Sequence, residues 1–306
     1  MIVNNLLDGA MSRPQINKRL KVVPIMRYST KRGRLLSVGH FLSVMSLFML
    51  QSSVQSFAQD VKTAPNPAPT AEDKIRLLDP PEKEFFAREL DYKGIPIKAP
   101  AVVSDRAILI ARDRIARLLK NLPDALYNLT VAGAELHIIG KDQVTSDLPE
   151  HRHLKGKPFD GKLTVDERTR GLGGLLTSCG EENLLELPND RYKGRDICTH
   201  EFSHNLQDQG LSADVQQKIR DQYHRSLDKG LWKGAYAATN EHEFFAELTM
   251  WYFGTHGDLH MTGTKPANGP DGLKAYDPEA YELLDNLYSG RIPVTRTNKI
   301  RKTRGA

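Results

Sequence analysis

Between Asp105 and Leu122 apolar residues return at Ile108, Ala111, Ile115, Leu118, Leu119 and Leu122, the three-to-four spacing of one helix face. Ser104 stands where an N-cap belongs and Pro123 follows the last turn. Arg and Lys fill the opposite side, which reads as a solvated surface. Ala134 to Ile139 alternates instead, the period of a strand, and Gly140 ends it. From Glu82 to Lys93 charged residues surround Phe85, Phe86 and Leu90, which predicts a short helix packed on the body. Residues 141–174 read as loop, with Arg170-Gly171-Leu172-Gly173-Gly174 a turn or a close backbone approach. His151 and His153 in that loop read as solvated. Cys179 to Pro188 looks like a loop entering a short strand. Helices are expected from Ser212 to Lys229 and, closing the chain's body, from Tyr276 to Tyr288.

Charge changes the picture at the two ends. The net charge is +5, but residues 59–290 hold 29 basic and 37 acidic residues, so the positive excess lies outside the body. That excludes nucleic-acid binding as the meaning of the basic balance. Lys31-Arg32-Gly33-Arg34, the apolar run Leu35 to Leu50 and Ser56-Phe57-Ala58 have the order of a secretory signal peptide. Residues 1–58 are therefore expected to be the signal, with Met26 as a possible true start. The run is short for a spanning helix, so an N-terminal anchor is the lesser alternative. Residues 59–80 form a Pro/Ala-rich linker, 81–290 one catalytic domain, and 291–306 a basic, disordered tail. The expected location is secreted, periplasmic or cell-envelope, with no membrane contact beyond such an anchor.

Candidate chemistry sits in Thr199-His200-Glu201-Phe202-Ser203-His204. At about 100° per residue, positions i and i+4 of a helix share a face, so His200 and His204 can aim ring nitrogens at one ion. Glu201 stands beside that ion, placed to take a proton from water. Catalytic zinc usually takes three protein ligands and leaves one position open. A second helix, from about 241 to 253 and capped by Thr239 or Asn240, carries Glu243 and Glu247 on one face. One should be the third ligand, and the other an acceptor for a ligand histidine's free N–H. His242, Asp208 and His224 are further candidates. Cys179 and Cys198 are the two cysteines. In an exported chain such a pair reads as a disulfide, and Cys198 points away from the metal side of its helix.

The blocks His200-Glu201-Phe202-Ser203-His204 and Tyr236 to Glu243-Phe244-Phe245-Ala246-Glu247 resemble the catalytic domain of anthrax lethal factor and its relatives, zinc metallopeptidases of the gluzincin type. The resemblance runs from roughly 175 to 290. It implies His200, His204 and Glu243 as ligands of one Zn2+, Glu201 as general base and acid, and Tyr236 as the hydroxyl that steadies the oxyanion. Glu247 matches the second acid of the block, where an outer role is inferred. The implied fold is α+β and zincin-like, a small mixed or antiparallel sheet packed on the two metal-bearing helices. The implied activity is hydrolysis of peptide bonds in a protein or peptide substrate by a water that Glu201 activates at the zinc. The rival readings are a non-catalytic exported zinc or binding protein, and a zinc amidase acting on cell-wall peptides.

Overall fold

The computed structural model describes residues 74–297 apart from 160, 258–260 and 263. The signal peptide, most of the linker and residues 298–306 of the basic tail lie outside the described residues. Six strands, β1 (Arg76–Glu82), β2 (Phe86–Tyr92), β3 (Ile95–Ala99), β4 (Glu135–Ile139), β5 (Gly171–Leu172) and β6 (Leu176–Gly180), form one mixed sheet in the order β1-β2-β3-β4-β6-β5. The first three are antiparallel neighbours, β4 runs parallel to both β3 and β6, and β5 closes the edge antiparallel to β6. Nine helices are described: α1 (Asp105–Leu119), α2 (Pro123–Ala132), α3 (Val165–Arg168), α4 (Glu181–Leu184), α5 (Ile197–Asn205), α6 (Ala213–Asp228), α7 (Glu241–Tyr252), α8 (Pro270–Tyr276) and α9 (Pro278–Tyr288). The fold is α+β, as expected.

The expected helix over 82–93 is a strand. Phe86 and Leu90 are four apart, which suits a helix face and a period of two alike. Tyr92, Ile95 and Ile97 extend the alternation, and the two-residue turn Lys93-Gly94, both at positive φ, folds β2 back on β3. Residues 76–80, expected in the linker, pair with β2 as the exposed edge strand β1. Cys179 to Pro188 also reverses its expected order: β6 comes first, then the one-turn helix α4. At the C-terminal end the tail is not free from 291. Val294 is buried, Thr297 N donates to Asn128 Oδ1 at 2.7 Å, and the Arg296 guanidinium pairs with Asp124 at 2.6 Å.

One face of the sheet carries the main core. Ile97, Leu136 and Ile138 pack with Ile108 and Ile115 of α1 and with Phe202 and Leu206 from the α5 segment. The basic side of α1 is not simply solvated either. Arg114 and Arg117 reach Asp196 Oδ2 at 3.1 and 3.0 Å, and Asp196 is the residue that caps α5. The disulfide between Cys179 and Cys198 forms as expected and ties the end of β6 to the back of α5. α7 is seated on an aromatic layer in which Trp232 lies edge-on to both Phe244 and Trp251. Buried Asp277 then accepts from Trp232 Nε1 at 2.8 Å and from Ser226 at 2.6 Å while capping α9. No helix among the described residues is long and apolar enough to cross a membrane.

Candidate metal centre

α5 begins where Asp196 accepts from Thr199 N at 3.1 Å and from its hydroxyl at 2.6 Å, an N-cap that satisfies otherwise orphan donors. After Asn205 the chain widens into a π-turn over Leu206–Gly210. α7 begins at Asn240, whose Oδ1 accepts from the backbone of His242 and Glu243 at 2.9 Å each. The two helices pack directly on one another.

Their contact brings three donor atoms together. His200 Nε2 and His204 Nε2 are 3.2 Å apart, and Glu243 Oε2 lies 3.2 Å from the first and 3.6 Å from the second. Atoms of His200, Glu201 and His204 suited to hold a metal ion lie within 4.8 Å of one another. The Tyr236 hydroxyl, in a turn just before α7, donates to Glu243 Oε1 at 3.1 Å. Glu247 is buried on the far side of His200, its Oε1 3.1 Å from Nδ1. The three other candidates are elsewhere: His242 and Asp208 face each other at 3.3 Å, and His224 lies against Tyr223 on α6.

The electrostatics follow from this geometry. Burial disfavours a charged His200, but Glu243 and Glu247 on its two sides outweigh burial and hold its pKa up at about 10. Burial likewise opposes ionisation of Glu243, and the two histidines overcome it, bringing its pKa down to about 2. Glu247 is held well below the usual carboxylate range against its own burial, by His200, His256 and Arg195. Glu201 goes the other way: burial raises its pKa, with His200 and His204 pulling against it. Tyr236 is pushed up by burial and by Glu243, so it stays protonated and able to donate.

Glu243 Oε2 is buried and has no hydrogen-bond partner. Two imidazole nitrogens and one such oxygen, turned to a common point, are donors that could hold a metal ion. The residues fit one divalent cation, which would bind the imidazoles and the carboxylate in their deprotonated forms. The glycine segment beside them, expected as a turn or a close backbone approach in a loop, makes the close approach, with Gly171 in the strand β5. A Cβ at Gly171 would stand 3.1 Å from Glu201 Cγ, and one at Gly173 2.9 Å from the His204 ring. Two residues at the site escaped the sequence reading, Arg195 and His256, both of which bond Glu247. Neither falls on the helical spacing that marked the others.

No protein-family model matches the chain, and no curated protein matches it. Among solved structures it is similar to the Pro-Pro endopeptidase PPEP-2 from Paenibacillus alvei, at 18% identity, over 62% of this chain and 96% of that one, with a TM-score of 0.43. A likeness at that score carries no argument about function.

Proposed function

We propose that the chain is an exported zinc metallopeptidase of the lethal-factor-like, gluzincin type, with His200, His204 and Glu243 as the metal ligands. The convergence of those three donor atoms from two helices, with Glu201 alongside, is the observation that carries the reading. When bound, zinc supplies a Lewis acid for the scissile carbonyl and acidifies water. Glu201, its pKa raised by burial, accepts the proton of the attacking water and returns it to the leaving amine. Tyr236 donates to the oxyanion that develops on the carbonyl, swinging from Glu243 to do so. Glu247 keeps the His200 ring in one orientation.

A peptide fits this site as an extended strand. β5 is the last strand of the sheet, so one of its edges is unpaired within the sheet; Gly171 in it lies beside Glu201, and Gly173 just after it lies beside His204. Main-chain pairing along such an edge is sequence-tolerant and would hold a peptide across the metal side of α5. The disulfide suits an oxidising compartment, in keeping with export.

The test is zinc analysis of the purified chain together with mass-spectrometric profiling of a peptide library and of purified cell wall. Glu201→Gln is expected to keep its zinc and to lose turnover by roughly 10²–10⁴-fold. Undiminished turnover removes Glu201 as the base. Cleavage of cell wall but of no peptide turns the reading to an amidase, and a zinc-loaded but inert chain turns it to a binding protein.

A further inference from the structure

Arg195 and His256 donate from two loops to the Glu247 carboxylate, which has no exposure to solvent, and the His200 ring lies against its other side. His200 Nδ1 lies 3.1 Å from Oε1. Arg195, in the loop before α5, donates through Nη2 to the same oxygen. His256, in the loop after α7, donates through Nε2 to Oε2 at 2.8 Å. His256 is fully buried, its ring stacked on Trp251 with centroids 4.0 Å apart. Its Nδ1 has no hydrogen-bond partner, so Glu247 is what fixes the rotation of this ring. The two loops are also tied to each other. Asp196 N donates to Thr255 O at 3.0 Å, and a Cβ at Gly257, whose φ is +70°, would stand 3.0 Å from the Arg195 side chain.

We infer that Arg195 and His256 are positioning residues for the metal centre. Between them they pin both oxygens of Glu247, and Glu247 then holds His200 with Nδ1 protonated and Nε2 turned to His204 and Glu243. The inference rests on the metal-ligand reading above and extends it one contact outward. A buried carboxylate with a single partner keeps the freedom to turn, and it loses the compensation that makes burying its charge tolerable. With Arg195 on one oxygen and His256 on the other, that freedom is gone before any metal binds. The polar chain from Arg195 and His256 through Glu247 to His200 therefore sets metal affinity through pre-organisation. Neither residue touches the three ligating atoms.

Partners of a ligand histidine are typically worth 10–100-fold in metal affinity. Acting one step further out, each of these residues is expected to contribute about tenfold. Zinc affinity of the whole chain is measured by competition with a chromogenic chelator, for wild type, His256→Phe, His256→Gln and Arg195→Met. His256→Phe keeps an aromatic ring against Trp251 and removes the donor, whereas His256→Gln restores an N–H of similar reach. Weakening of about tenfold in the Phe and Met variants, with recovery in the Gln variant, supports the role, since a merely structural ring would not discriminate Phe from Gln in that order. If His256→Phe does not fold, Arg195→Met, altered at a partly exposed side chain, decides between the two outcomes with the same probe. Zinc held equally tightly by wild type and by the folded variants overturns this inference alone. A wild-type chain that takes up no zinc overturns the metal-site reading and this inference with it.

Discussion

Among the described residues, two buried histidines are each flanked by two carboxylates, and they serve different ends. His137, on β4, is fully buried, with Glu150 on Nδ1 and Glu135 on Nε2 at 3.0 Å. Lys98 joins the group, 2.8 Å from Glu135 and 2.9 Å from Glu82. Each ring nitrogen there has a carboxylate of its own, and a lysine offsets the remaining charge. His200 has Glu247 on Nδ1 and Glu243 near Nε2, but His204 Nε2 shares the same point, and Glu243 Oε2 is left without a hydrogen bond. What separates a strut from a site is therefore not the pairing of imidazole with carboxylate. It is the surplus of lone pairs at one point, which a cation can satisfy and another side chain does not.

The sharpest break of this comparison is His204→Ala set against His137→Ala. The first removes one of the three proposed ligands, so on that reading zinc content should fall from about one per chain to near zero and turnover with it. The second should leave zinc content intact in the folded protein and reach stability instead. Removing one partner from a buried ion cluster typically costs about 3–5 kcal/mol, read as a lowered denaturation midpoint in urea. Zinc loss in the His137 variant while it remains folded would erase the distinction.

A smaller effect comes from the disulfide, which supports the back of α5 rather than its metal side. Replacing Cys179 and Cys198 together by Ser should cost about 3 kcal/mol for a loop of this length in the chain-entropy model. Zinc affinity, by the same chelator competition, should stay within a few-fold of wild type.

The smallest effect is pH dependence confined to the strut. Burial opposes charge on His137, yet Glu135 and Glu150 outweigh it and raise its pKa above the usual 6.5. That stability is fully present below about pH 6.5 and is lost as pH rises through the raised value. Glu135 is held down at about 2, and Glu150 is also lowered, both by His137 against their own burial. Their share is present above about pH 4.5 and is lost as pH falls towards 2. The gap in thermal midpoint between wild type and His137→Ala should thus be widest from about pH 4.5 to 6.5 and shrink on either side. A gap independent of pH would mean that the cluster holds by packing alone.

Much of the site was legible because it is written in local periods. His200 and His204, and Glu243 and Glu247, are each four residues apart on a helix, so their shared faces follow from the turn of the helix itself. The strand β4 and the helix α1 were equally local, and the cap of α7 was narrowed to Thr239 or Asn240, of which the structure uses Asn240. Where two periods fit the same residues, as for Phe86 and Leu90, the local reading went to the wrong element, and pairing with β3 decided it. The stretch 291–297 looked like a free tail because its anchors, Asp124 and Asn128, lie about 170 residues away.

The amino-acid order alone determined which residues share a helix face, which two cysteines were available to pair, and which residue types could hold an ion. Only the tertiary structure decided that α5 and α7 meet, that Glu243 faces the ring nitrogens while Glu247 lies behind one of them, and that Arg195 and His256 lock Glu247 in place. The reason is one of range. Backbone geometry repeats over a few residues and can be read along the chain, whereas the meeting of two helices is fixed by the packing of the whole core around them.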